Sequence, residues 1–169
     1  VRYRSCPAIA GQDRYLTPGV AMGTTKVAWG VIGTAKIALN RVLPGMKKSP
    51  WCDIRAIASR SEDAARKAAD ALGIPKAYGS YEALLADPEV EAIYNPLPNH
   101  LHVPLTLAAA RAGKHVLCEK PIALTAEEAG QLRDAAGRVL IAEAFMVRFH
   151  PQWLRARELV REGRIGTLR

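Results

Sequence analysis

The stretch Val27-Ala28-Trp29-Gly30-Val31-Ile32-Gly33-Thr34-Ala35-Lys36-Ile37-Ala38 decides how this chain folds. Its first half is a short, near-continuous apolar run, the pattern of a strand buried on both faces of a parallel sheet. Gly33 breaks the run, and a helical pattern follows over residues 35–48. Pro44-Gly45 lies inside that pattern and is expected to kink or end the helix. Strand, glycine turn and helix in this order make the first step of a βαβ unit.

The same alternation continues outward along the chain. A second strand is expected over residues 54–59, after which Ser61-Glu62-Asp63 supplies an N-cap and an acidic first turn for a helix ending at Leu72. Gly73 then occupies the position after the helix end that favours glycine. A short strand near Ala77-Tyr78 and a helix over 81–86 come next. The fourth strand, Ala92–Asn95, leads through Pro96-Leu97-Pro98-Asn99 into a helix over 101–112. His115–Cys118 makes the fifth strand, Thr125 opens another helix, residues 139–144 make a sixth strand, and a basic amphipathic helix covers 151–162. The fold class expected from this pattern is α/β, a Rossmann-type doubly wound parallel sheet.

The chain has 169 residues, enough for one domain with a core and too few for two. Residues 1–24 are expected to be a disordered or artefactual extension, because Met22-Gly23-Thr24 reads as a natural start just before the first strand. The expected layout places a nucleotide-binding domain at 25–148. Residues 149–169 hold the basic helix and the start of a further domain, with Gly163-Arg164-Ile165-Gly166 read as the entry to another strand. No apolar run approaches the roughly 20 residues that span a bilayer, and no secretory h-region opens the chain. Three cysteines, Cys6, Cys52 and Cys118, form no C-x-x-C pair and leave an odd thiol, which points to a reducing compartment, the cytoplasm. The net charge is +8, and +6 of it lies in residues 1–21 and 148–169. No basic stripe interleaved with aromatics runs through the body, so nucleic acid is not an expected partner.

Chemistry gathers at the carboxyl ends of the expected strands, where open α/β sheets bind ligands. Gly33-Thr34-Ala35-Lys36-Ile37-Ala38 keeps the spacing of G-x-G-x-x-G as G-x-A-x-x-A. Gly33 makes the tight turn, Ala38 is small enough for helix–strand packing, and Ala35 limits backbone approach to a pyrophosphate. The second strand ends in Ser59-Arg60-Ser61, with no carboxylate to hydrogen-bond a ribose. Arg60 and a serine hydroxyl instead suit a 2′-phosphate, so NADP is expected over NAD. A surface arginine beside a helix-capping serine is the alternative reading.

After the fourth strand, His100 and His102 stand two residues apart, so they diverge on a helix and no shared metal is expected. Asn99 reads either as a ligand or as the cap of the next helix, and His102 as part of the nicotinamide pocket. After the fifth strand come Glu119-Lys120-Pro121. A lysine held beside a cationic ring gives up its proton more readily, so Lys120 is the expected acid/base. A surface ion pair is the alternative.

Together these motifs, with Glu143-Ala144-Phe145-Met146 and Arg148-Phe149-His150-Pro151, resemble the glucose–fructose oxidoreductase/inositol dehydrogenase/MocA (Gfo/Idh/MocA) family over about residues 26–169. The resemblance implies a sugar-type oxidoreductase with Lys120 in proton transfer, shaped by Glu119 and Pro121. It also implies that Gly33, Thr34, Ala35, Lys36, Ile37, Ser59, Arg60, Pro96, Asn99, His102, Glu119, Lys120 and Glu143 line the cofactor cleft, with His102 and Glu119 beside Lys120 in catalysis. The run through Arg148 and His150 is most similar to the branch acting on aldoses such as xylose or glucose, or on trans-dihydrodiols, although Val147 stands where that branch is often aromatic. Family members carry a second α/β domain, which supplies part of the substrate site and the homo-oligomer contact and which these residues do not contain. Two other readings stay open from the sequence: a non-catalytic NADP-binding sensor or regulator, and an inactive truncated fragment.

Overall fold

A computed structural model describes residues 25–167. The expected extension at 1–24 lies outside the described residues, as does Cys6. Six parallel strands form one sheet in the order β3-β2-β1-β4-β5-β6. They are β1 (Val27–Ile32), β2 (Cys52–Ala58), β3 (Lys76–Tyr78), β4 (Ala92–Asn95), β5 (His115–Cys118) and β6 (Ile141–Glu143). Winding runs outward from β1 through β2 to β3, then restarts on the other side of β1 with β4. The expected doubly wound sheet is therefore present, with its switch point between β1 and β4.

Strand alternation feeds two cores. Val31, Ile57 and Tyr94 point to one face, where Ala38, Leu43 and Ala69 from the helices after β1 and β2 meet them. Ile32, Ala58 and Ile93 point to the other, against Leu84 and Ala109. Gly30 faces this second core. A Cβ there would sit 2.8 Å from Leu84 Cδ2 and 3.0 Å from Val90 Cγ1, so the strand has room only for glycine.

Local signals set the helix ends. In α2 (Glu62–Leu72) the Ser61 hydroxyl accepts the Ala64 N–H at 3.3 Å, and Gly73 closes the helix at φ 58°. Ser80 caps α3 (Tyr81–Leu85) in the same way, and Thr125 caps α5 (Ala126–Ala135). A 3-10 turn, Asn99–Leu101, precedes α4 (His102–Arg111). Asn99 caps neither element with its side chain, contrary to one of its two readings.

Two expectations are corrected. Pro44-Gly45 lies inside the last turn of the first helix, α1 (Leu43–Met46), which ends one residue after it, and the distortion comes ahead of the proline rather than at it. The preceding turn, Ala38–Val42, is π-helical. Its wider i→i+5 pitch shifts the backbone just ahead of Pro44, and Pro44 then falls in the first turn of α1, where no N–H is required of it. At the other end, Gly163-Arg164-Ile165-Gly166 forms a turn, with both glycines at positive φ. Ahead of it, α6 (Pro151–Arg161) has the expected basic character but buries no residue; Phe149 and Trp153 are exposed. Among the described residues no helix is long and apolar enough to cross a membrane.

A polar clasp ties the sheet together at the β3–α3 side. The buried Asp87 carboxylate accepts from Lys76 Nζ at 3.0 Å, Tyr78 Oη at 2.9 Å and the Glu89 N–H at 2.9 Å. Lys114 Nζ donates to the Asp87 and Val90 carbonyls at 2.8 and 2.5 Å. Burial alone would push the Asp87 carboxyl up. The Glu89 N–H, Lys76 and Tyr78 more than offset it and hold the group below its usual range.

A carboxyl depressed in the folded state stabilises above its unfolded pKa and loses that contribution as pH falls through the folded value. Asp87→Asn is expected to lower stability by about 1–3 kcal/mol at pH 7, as for a buried charge-assisted bond. Urea unfolding should show the gap between the two proteins narrowing below about pH 4, the usual aspartate range.

Candidate functional site

The site is a groove along the carboxyl edge of the sheet at the switch point. Gly33 turns out of β1 at φ 99°, in the left-handed region, while its N–H donates to Ala58 O at 2.7 Å. A Cβ on Gly33 would lie 2.5 Å from Leu97 Cδ2. The turns after β1 and β4 are thus in direct contact, and only glycine permits it. Ala35 O accepts the first helical N–H, from Leu39 at 3.1 Å, and Ala38 is fully buried beneath the turn. Helix N–H groups therefore open toward the groove.

Leu97 and Pro96 contribute to two cavities in this groove. One, of about 300 Å³, is bounded by Gly33, Thr34 and Ala35, by Ser59 and Arg60, and by Tyr81. Ser59 Oγ accepts the Ser61 N–H at 3.4 Å. Arg60 has no carboxylate partner among the described residues. The other cavity, of about 640 Å³, takes Ile37, Arg41 and Val42 from the first helix on one side and Glu119 and Lys120 on the other, with Asn99, His102 and Met146. Lys120 Nζ is likewise without a carboxylate, so the surface ion pair considered for it does not form.

Buried hydrogen bonds hold the second cavity's walls. Tyr94 Oη donates to Glu119 Oε1 at 2.8 Å, and the Lys120 N–H reaches Glu119 Oε2 at 3.3 Å. Burial, reinforced by the Glu119 carboxylate, raises the Tyr94 phenol far above its ordinary range, so it stays a donor. Asn95 Nδ2 donates to His102 O at 3.3 Å and to Thr106 Oγ1 at 3.4 Å. Cys118 is pushed up to about 12, chiefly by burial, and remains an inert thiol.

His102 is 1% exposed. Its Nδ1 lies 2.7 Å from Pro121 O and its Nε2 2.6 Å from Leu97 O. Both ring nitrogens face backbone carbonyls, which only accept, so whichever nitrogen carries the N–H of a neutral ring donates to its carbonyl; the imidazole lies between the loops after β4 and β5. Glu143 lines neither cavity; its Oε1 accepts the Ile122 N–H at 2.9 Å and steadies the loop that follows Lys120. Lys36 also lines neither. No group of three or more His, Cys, Asp or Glu side chains arranged to hold a metal occurs among the described residues.

Sequence reasoning missed Tyr94, Tyr81 and Arg41. A tyrosine inside a fully buried strand needs a partner for its hydroxyl, which was the available signal for Tyr94. Tyr81 sits just past the end of β3, beside the end of β2, and could have been found by that position. Arg41 shares a helix face with Ile37, four residues earlier, and that spacing was its available signal.

Comparison with known proteins gives a consistent result. The model of the oxidoreductase family with an NAD-binding Rossmann fold, GFO_IDH_MocA, matches residues 27–139. An uncharacterized oxidoreductase of Rhizobium meliloti is 53% identical over 146 residues, covering 85% of this chain and 43% of that protein. D-xylose 1-dehydrogenase (NADP(+)) 2 of Haloferax volcanii is 51% identical over 134 residues, 78% of this chain and 41% of its own length. The crystal structure of KijD10, a 3-ketoreductase from Actinomadura kijaniata in complex with TDP-benzene and NADP, matches with a TM-score of 0.80 at 39% identity. That match covers 86% of this chain and 46% of the ketoreductase. The chain spans less than half the length of the curated relatives it matches.

The two histidines of the β4–α4 loop should separate sharply on mutation. His102→Ala removes the ring between the two loops and is expected to cost about 2–3 kcal/mol in urea unfolding. His100→Ala, at an exposed position, should stay within about 0.5 kcal/mol of the parent.

Proposed function

The chain belongs to the Gfo/Idh/MocA oxidoreductase family, and on that footing we propose that it binds NADP for hydride transfer at a carbinol carbon of a sugar or dihydrodiol. The observation that carries this reading is the groove itself, with the unpaired Arg60 in one cavity, the unpaired Lys120 in the next, and the Gly33 turn at the first of them. The relatives support the cofactor assignment: the Haloferax enzyme is named for NADP(+), and the ketoreductase was crystallised with NADP.

The donor set fits such a cofactor. Arg60 offers a bidentate guanidinium to a 2′-phosphate, Ser59 and Thr34 add hydroxyls, and the helix opening at Ala35 favours a pyrophosphate. Tyr81 adds an aromatic wall. Ile37 and Pro96 line the way to the larger cavity, where Asn99 and Lys120 stand. Bound in this groove, the cofactor supplies the carbon that gives or takes the hydride.

The residues of the chain then divide the remaining work. Lys120 Nζ would take the proton from the substrate hydroxyl as the carbinol carbon bearing it loses hydride, and return it in the reverse direction. Glu119 does not shuttle protons in this scheme; held on Oε1 by Tyr94 and on Oε2 by the Lys120 N–H, it aims the lysine backbone. His102 acts as a positioning residue, since both ring nitrogens face backbone carbonyls, and Glu143 supports the same loop through Ile122. Asn99 stays at the rim as a cofactor contact. Aldoses such as xylose or glucose are the proposed substrates, and the cytoplasm the proposed compartment.

Calorimetric titration of this chain tests the cofactor assignment. NADPH should bind saturably and more tightly than NADH, and Arg60→Ala should remove most of that preference. Absence of binding to either nucleotide would overturn the reading. In the native-length protein, Lys120→Met should lower kcat by about 10²–10⁴, the usual contribution of a general acid/base, with NADPH affinity changed only a few-fold.

A further inference from the structure

The π-turn Ala38–Val42 changes which residues the first helix presents to the groove. An α-helix stacks residues three and four apart, so Val42 would rotate away from Ile37 and Arg41. The i→i+5 pitch of a π-turn stacks Ile37 with Val42 and leaves Arg41 between them. All three line the 640 Å³ cavity together with Lys120.

Arg41, four residues after Ile37, shares its face in a regular helix as well, so it lines this cavity as a cation and the π-turn sets Val42 beside it. The arginine is exposed, and among the described residues it has no ion pair. The acid that lines the cavity, Glu119, already accepts from Tyr94 Oη and the Lys120 N–H. Arg41 does not line the smaller cavity, where Gly33, Thr34, Ser59 and Arg60 are gathered, so the cofactor phosphates are not its partners. Lys120 is assigned to the reacting hydroxyl. One guanidinium is left over, and Ile37, Val42 and Met146 line the cavity with it.

We propose that Arg41 is a specificity-determining residue and that it binds a phosphoryl group carried by the sugar substrate. This deepens the oxidoreductase reading and rests on it. A planar guanidinium forks onto phosphate oxygens in a bidentate pair, and a dianion gains more than a carboxylate across a partly solvated cleft. A neutral hexose leaves Arg41 solvated and gains nothing from it.

The test is calorimetric titration of this chain with glucose, glucose 6-phosphate, uridine diphosphate glucose and gluconate, each with and without saturating NADPH. At least one phosphorylated sugar should bind ten-fold or more tightly than glucose. Arg41→Gln should shrink that ratio below two-fold, Arg41→Lys should retain part of it, and NADPH affinity in both variants should stay within two-fold. A wild-type chain without a phosphate advantage, including one that binds none of the sugars, overturns the proposal. So does an advantage that survives Arg41→Gln, or an equal gain for gluconate. Failure of NADPH to bind counts against the cofactor reading alone, because the cofactor-free arms judge Arg41 by themselves.

Discussion

The absence of a side chain at Gly33 is the constraint on which the rest of the site depends. With a Cβ there only 2.5 Å from Leu97 Cδ2, the turns after β1 and β4 could not pack against each other. Their contact closes the gap where winding reverses and leaves one groove with two cavities that share Pro96 and Leu97. Gly30, three residues earlier, obeys a similar limit from below, since Leu84 and Val90 crowd its α-carbon. The strand that starts the fold is therefore pinned at both its middle and its exit by close approach.

Behind that contact, buried polar groups hold the loops that carry the walls. Asn95, Thr106 and His102 would each be costly to bury alone. Here they find partners in one another and in the backbone: Asn95 reaches His102 O and Thr106, while the His102 ring lies between Leu97 O and Pro121 O and donates to the one its N–H faces. A separate bond, from Tyr94 to Glu119, holds the residue before Lys120. Directional bonds fix orientation in a way that interchangeable apolar contacts do not.

Much of this was legible in the sequence because the deciding signals are local. Val27–Ile32, Ala92–Asn95 and His115–Cys118 follow from short apolar runs bounded by turn residues. The ends of α2 follow from Ser61 and Gly73. What sequence could not give depends on contacts distant along the chain. The role of His102 is set by carbonyls 5 and 19 residues away. The partner of Tyr94 is 25 residues away. Pro44 reads as a breaker by itself and is accommodated only because the turn before it widens.

That widened turn links the departure from local rules to the site. A regular α-helix through residues 36–46 would present Ile37 and Arg41 to the groove and turn Val42 aside, whereas the π-turn brings all three to one wall. The proline that follows makes the regular alternative costly, since its ring would crowd the carbonyl four residues earlier, at Asn40. Pro44 thus biases the backbone toward the conformation that widens the wall, although it lines neither cavity. A residue can shape a binding surface by excluding one helical pitch, and the effect is invisible to any reading that asks only which side chains face the ligand.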